Sequence, residues 1–340
     1  MATIKDVAAL AGISYTTVSH VLNTTRPVSE HVRQKVEAAI IELDYVPSAV
    51  ARSLKARSTA TIGLLVPNSV NPYFAELARG IEDACERNGY CVILCNSDDN
   101  PQKQRSYLRV LLEKRIDGLV VASVGQDSDL LQSLACVRTP MVIVDRELEG
   151  VDADLVRIDH EHGAYLATQH LLELGHRDVA YIGGPAETGV TQLRLNGFRR
   201  AMAEAGVPVP GSRVLHCDFT SPGGHAAAAQ VLEGKRPTAI FAGNDMIGFG
   251  VLRAAAERNI SVPGELSVIG FDDIELSRYV YPPLTTVGQS IRELGESAAS
   301  LLLTRIGTPR QGAAEQRIVA PRIVLRESTG PRPDLFNDYR

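Results

Sequence analysis

A set of aromatic, polar and charged residues recurs directly after short apolar runs in the body of this 340-residue chain. The members of the set are Asn71, Tyr73, Phe74, Ser123, Asp145, Arg146, Arg194, Phe219, Asn244, Asp272 and Gln289. Aromatic rings pack against C–H surfaces, while carboxylate, amide and guanidinium groups each hold a pair of hydroxyls. The set therefore suits a small polyhydroxylated ligand. A single Asp after a strand is more often a turn former than a ligand, so the prediction rests on the position that these residues share.

Apolar runs that alternate with helical segments position this set from Thr61 onward. The runs read IGLLVP, CVILCNS, GLVVAS, MVIVDR, VRID, VAYIGG, VLHCDF, AIFAGND, SVIGFDD and TTVGQS. Continuous apolar strands separated by helices predict parallel sheets that are covered on both faces. The carboxyl ends of such strands meet at one edge, where ligands bind. Because the segment is longer than one doubly wound sheet requires, we expect an α/β fold with two lobes.

Three short helices are predicted before this body. Thr3 caps the first, Gly12 allows a tight turn, and Ser14 caps a second helix that reads YTTVSHVLN. The polar side chains of the second helix point away from its apolar face, as in a helix-turn-helix whose second helix enters the major groove. An ordinary three-helix cap with a solvated polar face is the alternative on this pattern alone.

A basic segment, YVPSAVARSLKARSTAT, follows the third helix and contains no acid. Ser48 can cap a short fourth helix in it. On that helix Leu54 can wedge between base steps of the minor groove, while Arg52 and Lys55 neutralise phosphates. A plain linker helix is the alternative.

Composition and motif content exclude several classes of protein. The net charge is −5, yet the first sixty residues carry seven Lys and Arg against five acids, so a polyanion is expected to meet only the N-terminal part. The chain lacks a long apolar stretch and a secretion-signal pattern, which predicts a cytoplasmic protein without a membrane partner. The five cysteines form no C-x-x-C pair, and neither G-x-G-x-x-G nor G-x-S-x-G occurs. We therefore expect no metal, no cofactor and no enzymatic activity.

Three histidines at the start of one predicted helix, His160, His162 and His170, could in principle bind a metal. Their spacing is not H-E-x-x-H. They are interpreted as solvated helix surface.

The run TIKDVAALAGISYTTVSHVLN, followed by VPSAVARSLK, resembles the N-terminal region of the LacI/GalR family of bacterial transcriptional regulators, in particular its ribose-repressor and purine-repressor branch. The resemblance implies a homodimer on a palindromic operator with a central CpG step, into which paired hinge helices insert a leucine. Tyr15, Thr16, Thr17 and His20 are then expected to read bases. The residues expected at the DNA are Thr3, Ser14, Tyr15, Thr16, Thr17, Ser19, His20, Asn23, Arg26, Ser48, Arg52, Leu54 and Lys55.

The body resembles the type I periplasmic-binding-protein fold that this family shares with sugar receptors. The resemblance implies a helix-turn-helix headpiece at 1–46, a hinge helix and linker at 47–60, an effector domain at 61–330 (lobe 1 about 61–160 and 291–322, lobe 2 about 161–290 and 323–330) and a tail at 331–340. The segments NPYF, VDR, RLNGF, CDF, GND, GFD and VGQ fall where ribose-binding relatives contact the sugar. Ser123 departs from the Asn of the periplasmic receptor.

The resemblance implies a repressor whose operator affinity depends on a small effector. Purine-binding relatives carry a tryptophan after the acid of the fourth strand, and this chain has no Trp. We therefore expect a sugar such as ribose to act as inducer. A regulator that responds to a purine or another sugar, a sugar receptor without DNA activity, and an enzyme on the same scaffold remain as alternatives.

Overall fold

The computed structural model describes residues 2–23, 26–46, 58–122, 125, 127–288, 290–308 and 312–333. Two compact units make up the chain, Met1–Thr59 and Ala60–Arg340. Several residues with predicted roles lie outside the described residues, namely Ser48, Arg52, Leu54, Lys55, Ser123 and Gln289.

Three helices form the first unit: α1 Ile4–Ala11, α2 Tyr15–Asn23 and α3 Glu30–Glu42. Thr3 and Asp6 make a reciprocal capping box at the start of α1, and Gly12 ends it with φ 66. The Ser14 hydroxyl accepts from the Thr17 N–H at 3.1 Å and so caps α2. The predicted helix-turn-helix pattern and its caps are therefore present.

A small apolar core joins these helices. Its buried members are Val7, Ala8, Ala11, Val18, Val36 and Ala39. The apolar side chain of Leu10 in the same helix predicts burial with them, but it is 45% exposed. The reason is geometric, since Leu10 lies beyond the edge of the helix face that Val7, Ala8 and Ala11 form.

The second unit alternates strands with helices. The strands are β1 Thr61–Val66, β2 Cys91–Asn96, β3 Gly118–Ala122, β4 Met141–Val144, β5 Asp154–Ile158, β6 Val179–Gly183, β7 Val214–His216, β8 Ala239–Ala242, β9 Ser267–Asp272, β10 Thr285–Gly288, β11 Gln316–Val319 and β12 Arg322–Val324. The helices are α4 Pro72–Arg87, α5 Pro101–Glu113, α6 Ser128–Ala135, α7 His160–Glu173, α8 Gly189–Glu204, α9 Ser221–Val231, α10 Asp245–Glu257 and α11 Ile291–Gly307. Short 3₁₀ turns lie at Gly211–Arg213 and Glu275–Arg278.

The strands form two six-stranded sheets, in the orders β11-β5-β4-β3-β1-β2 and β12-β10-β9-β8-β6-β7. Among these strands every pairing is parallel except that of β10 with β12. Lobe 1 is the first sheet with α4, α5, α6 and α11, and lobe 2 is the second sheet with α7 to α10. The chain crosses between lobes after β5, after β10 and after β11. The predicted α/β fold with two parallel-sheet lobes is confirmed.

Apolar side chains fill both faces of each sheet. In β3 and β8 every residue is buried, because helices cover these central strands on both sides. Polar side chains are consequently displaced to the strand ends, which is what places the candidate site. None of the described helices is both long and apolar enough to cross a bilayer.

Candidate functional site

One cavity of about 570 Å³ lies between the two lobes, at the carboxyl ends of their strands. The nine described residues of the predicted ligand set line it, namely Asn71, Tyr73, Phe74, Asp145, Arg146, Arg194, Phe219, Asn244 and Asp272. A volume of this size is typical of small-molecule sites. The shared strand-end position has thus brought together residues that are up to two hundred positions apart in the chain.

Arg194 on α8 provides a fixed guanidinium group on the lobe 2 side. Its Nη1 donates to the Gly243 carbonyl at 2.5 Å, and its Nη2 donates to Asp272 Oδ1 at 3.3 Å. The guanidinium carbon lies 3.8 Å from the centre of the Phe271 ring, within cation–π range. The Nε atom of Arg194 is buried and makes no hydrogen bond within the described part of the chain.

Asp145 provides the matching acid on the lobe 1 side. The Tyr73 hydroxyl donates to its Oδ1 at 3.3 Å, and His160 Nε2 lies 3.0 Å from the same oxygen. Burial and the negative charge of Asp145 raise the pKa of Tyr73 well above its ordinary value, so the phenol stays protonated and remains a donor. The Arg146 Nε, next along the chain, is buried without a hydrogen-bond partner among the described residues.

Both predicted acids of the cavity, Asp145 and Asp272, have a left-handed backbone. Asp145 has φ 80 and Asp272 has φ 117, a region that residues other than glycine rarely adopt. Both side chains are nearly fully buried at the ends of central strands, one in each sheet. Burial raises the pKa of Asp272 well above its ordinary value, although Arg194 acts in the opposite direction. Strained backbone and buried charge concentrate at functional sites, and here they coincide.

Two of the predicted ligand residues also cap helices. Asn71 Oδ1 accepts from the Tyr73 N–H at 3.1 Å at the start of α4, and Asn244 Oδ1 accepts from the Ile247 N–H at 2.9 Å at the start of α10. The side-chain oxygen of each Asn is therefore engaged by the fold. The amide NH₂ group and the second lone pair of the oxygen remain for a ligand.

The expectation that His160 is a solvated surface residue was wrong. His160 is 1% exposed and lies against Asp145 and Arg194, because the crossover after β5 places the first turn of α7 beneath the cavity. His162 is exposed as expected, whereas His170 is half-buried and contacts the Thr329 hydroxyl. Within the described residues, no three metal-ligating side chains lie close enough to hold an ion.

Sequence reasoning also missed three acids of the cavity, Asp99, Glu187 and Asp218. Asp218 lies within the segment CDF, so the strand-end rule could have identified it although it was not singled out. Asp99 follows β2 by three residues, and Glu187 lies in the loop before α8. Neither Asp99 nor Glu187 comes directly after a strand, so the strand-end rule does not apply to them.

The predicted DNA-reading surface is the polar face of α2. Tyr15 is 61% exposed, and Thr16, Asn23 and Arg26 are exposed as well. Thr17, Ser19 and His20 are partly buried. The Thr17 hydroxyl is 2.9 Å from that of Ser14, and the Asn23 amide donates to the Ser19 carbonyl at 2.8 Å. Thr3 is held in the capping box of α1.

Two family models match the chain. The first, described as bacterial regulatory proteins of the lacI family, matches residues 3–48. The second, described as periplasmic binding proteins and the sugar binding domain of the LacI family, matches residues 59–327.

Similar proteins include the HTH-type transcriptional repressor PurR of Proteus mirabilis, which is 46% identical over the full length of both chains. PurR of Photobacterium profundum is 45% identical over 96% of this chain and 98% of the relative. These relatives are repressors and not enzymes, in agreement with the prediction for this chain.

Two solved structures are also similar. The lac repressor dimer bound to operator and the anti-inducer ONPF has a TM-score of 0.86 and 30% identity, and the alignment covers 97% of this chain and 99% of that one. A LacI-family regulator from Enterococcus faecium with bound ribose has a TM-score of 0.72 and 35% identity over 80% of this chain and 99% of that one. The chain belongs to the LacI family of bacterial regulatory proteins and is a sequence-specific DNA-binding transcriptional repressor.

Proposed function

We propose that the effector of this repressor is a neutral sugar, ribose or a close relative, which binds between the lobes as inducer. The observation that carries the proposal is the convergence of three aromatic rings with paired acids, arginines and amides on one cavity. Bidentate polar groups suit adjacent hydroxyls, and the rings Tyr73, Phe74 and Phe219 suit the C–H faces of a sugar. Similar regulators from Enterococcus faecium and Enterococcus faecalis, 35% and 34% identical, hold ribose in their solved structures.

The charge of the cavity argues for an unphosphorylated effector. Among the described residues that line it, five carry carboxylates and two carry guanidinium groups. Asp99, Glu187 and Asp218 add acids beyond the pair Asp145 and Asp272. In a partly enclosed site of low dielectric, such an excess repels a phosphate group. Ribose is therefore favoured over ribose 5-phosphate.

A purine is the second candidate effector, because the relatives with the highest identities quoted above are named PurR. Aromatic plates also suit a flat base. Against it, this chain has no tryptophan to follow Asp145, the position at which purine-binding relatives carry one. Five acids and two arginines line the cavity, and such groups pair with the hydroxyls of a sugar.

The effector is proposed to control DNA binding through the arrangement of the lobes. A ligand that contacts Asp145 in lobe 1 and Arg194 in lobe 2 binds a closed arrangement better than an open one, and so biases the two. The change reaches the headpiece through residues 47–60, the proposed hinge. Coupling of this kind typically amounts to about 1–3 kcal/mol.

A thermal-shift panel on the full chain tests the effector. The panel contains D-ribose, ribose 5-phosphate, other pentoses, hexoses, hypoxanthine and guanine. A ligand at about one hundred times its Kd stabilises the folded state by about 2.7 kcal/mol, so a clear rise in Tm is expected with ribose and none with its phosphate. Operator anisotropy should then show weaker DNA binding with ribose present. A rise only with purines would replace ribose by a purine as effector.

The DNA side of the proposal assigns base reading to α2 and insertion at a central CpG step to Leu54. Leu54→Ala should weaken binding to a palindromic operator by up to a few kcal/mol, because the wedge that opens the base step is lost. Ribose binding should be unchanged in the same variant. Equal operator affinity of Leu54→Ala and wild type in an anisotropy titration would contradict the wedge.

Homodimer formation is the remaining part of the proposal. Large apolar side chains are exposed in both lobes, with Leu94 on the edge strand β2 at 47%, and Tyr279 and Tyr281 at 73% and 93%. Exposed apolar side chains mark an interface where they join into one contiguous patch. The similar lac repressor was solved as a dimer on its operator. Sedimentation velocity should give twice the 36.7 kDa chain mass, and a monomer at micromolar concentration would refute the proposal.

A further inference from the structure

His160 occupies the junction between the lobes. It is the first residue of α7, two positions after β5 of lobe 1 ends, and α7 packs in lobe 2. The preceding residue, Asp159, caps the helix by accepting from the His162 N–H at 3.0 Å. The side chain of His160 is 1% exposed, so its polar atoms depend on protein partners.

The imidazole contacts one acidic and one basic residue of the cavity, Asp145 and Arg194. Its Nε2 is 3.0 Å from Asp145 Oδ1 and 3.2 Å from the Asp145 carbonyl oxygen. Its Nδ1 is 3.4 Å from Arg194 Nη2. Both partners belong to the proposed effector site, Asp145 in lobe 1 and Arg194 in lobe 2.

These contacts fix the tautomer of the ring. A guanidinium group only donates, so Nδ1 must accept from Arg194 and carries no proton. The ring proton is then on Nε2, which donates to Asp145. Burial lowers the pKa of His160, which keeps the imidazole neutral and preserves one donor and one acceptor.

The same contacts extend across the base of the cavity. Tyr73 donates to Asp145 at 3.3 Å, and Arg194 donates to Asp272 at 3.3 Å. Through His160, a continuous chain of buried polar contacts links Tyr73 in lobe 1 to Asp272 in lobe 2. The contact of His160 with Asp145 Oδ1 is shorter than that of Tyr73 with the same oxygen.

We propose that His160 is a positioning residue for the effector, which holds Asp145 of lobe 1 and Arg194 of lobe 2 at the separation at which both contact one ligand. The inference rests on the proposed function, because it assigns His160 to that site. Without the imidazole, Asp145 keeps its contact with Tyr73 and Arg194 keeps its contact with Asp272, but each loses the contact that links it to the other lobe, so their separation is no longer fixed. Effector affinity falls although His160 itself does not line the cavity.

The test compares three variants of the full chain by calorimetric titration with D-ribose. His160→Leu keeps the approximate volume but removes both polar atoms, and should weaken ribose binding by about tenfold or more. His160→Gln retains one donor and one acceptor, and should stay within about threefold of wild type. His162→Leu, on the exposed side of the same helix, is the matched control and should bind as wild type does.

A merely structural histidine would lower the Tm in both His160 variants and leave their ribose affinities alike. Wild-type affinity of His160→Leu, or a loss in His160→Gln as large as in His160→Leu, overturns the proposal. Failure of wild type to bind ribose instead refutes the proposed effector.

A measurement on wild type keeps the inference testable if ribose does not bind or if His160→Leu does not fold. Solid-state ¹⁵N NMR of histidine-labelled protein should contain a signal pair from one ring with an unprotonated Nδ1 and a protonated Nε2. That pair should vanish in His160→Gln, which assigns it. The opposite tautomer, or a doubly protonated ring, overturns the proposal, because neither allows Arg194 to donate to Nδ1.

Discussion

The two lobes share one strand order, although the edge strand β11 is parallel and β12 antiparallel to its neighbour, and the acid at the same place in each sheet has different partners. In each sheet the fourth strand of the lobe, β4 or β9, occupies the same place in the strand order and ends at a buried Asp. Asp145 and Asp272 also share a left-handed backbone. In lobe 2 the acid pairs with a guanidinium group, Arg194, whereas in lobe 1 it meets a phenol and an imidazole.

This difference shows that the strand order determines where the acid lies, while the residues on neighbouring helices determine whether its partner is charged or neutral. Arg194 is held by Gly243, by Asp272 and by the face of Phe271 before any ligand arrives. The lobe 2 half of the cavity is thus preorganised around an ion pair. The lobe 1 half is organised around neutral donors, which cost less to separate from their acid.

Removing each acid in turn should give the largest contrast between the lobes. Asp272→Ala leaves a buried guanidinium group without its counter-charge, and losses from breaking such pairs are about 3–5 kcal/mol. Asp145→Ala removes the carboxylate that accepts from Tyr73 and leaves His160 Nε2 only the backbone carbonyl of residue 145, for a loss of about 1–3 kcal/mol. Urea unfolding of both variants measures the difference. Both should lose the response to ribose in operator binding, since each acid is proposed to hold the effector.

An isosteric pair provides the control for that comparison. Asp272→Asn and Asp145→Asn retain the shape of each side chain and remove the charge. If Asp145→Ala proves as destabilising as Asp272→Ala, the ion pair does not distinguish the lobes.

A second buried acid of lobe 2, Asp245, should make the stability of this lobe depend on pH. Asp245 accepts from the hydroxyls of Ser277 at 2.7 Å and Thr286 at 2.5 Å and from the Ile274 N–H at 2.9 Å. Burial raises its pKa to about 7. In lobe 1, by contrast, the buried Asp154 pairs with Arg305 at 2.6 Å.

Stability that depends on Asp245 should therefore fall as pH rises. The folded protein holds a proton on this carboxyl at pH values where the unfolded chain has already lost it, between the ordinary aspartate pKa of 3.8 and about 7. The stabilisation is complete below the lower value and is lost as pH rises through the upper one, at no more than about 1.4 kcal/mol per pH unit. Asp245→Asn should remove this component, because its amide cannot ionise.

Urea unfolding of wild type and Asp245→Asn at about pH 5.5 and about pH 8 measures that component by difference. The difference also cancels the contributions of groups that do not interact with Asp245; Asp272 is not among them, because the charge of Asp245 helps to raise its pKa. Parallel pH profiles of the two proteins would mean that Asp245 ionises at the same pH in the folded and unfolded states.

Much of the fold was predictable because buried parallel strands have a simple signature. Ten apolar runs predicted β1 to β10. The strands β11 and β12 gave no such run, since they have four and three residues, lie at sheet edges and include Arg317 and Arg322. An edge strand is covered on fewer sides, so its sequence need not be apolar.

The candidate site was predictable to the extent that it follows from strand ends. That rule brought Asn71 and Asp272 to one cavity across two hundred residues. It missed His160, because helical periodicity describes the surface of a helix and not what a crossover places against its first turn. The roles of Ser123, Gln289 and the hinge residues stay predictions from the sequence.

The smallest expected effect on stability comes from the two Asn residues that cap helices, a feature that both lobes share. Asn71 and Asn244 each cap a helix, one in lobe 1 and one in lobe 2, and each lines the cavity. Replacement by Ala removes the cap and should cost about 1 kcal/mol in either lobe, whereas Ser retains a capping oxygen and should cost little. Calorimetric titration of the Ser variants with ribose then reports the loss of the amide groups from the cavity with the helix caps retained. Equal costs of the two Ala variants in urea would place the asymmetry of the lobes at the partners of Asp145 and Asp272, while unequal costs would extend it to the helix starts.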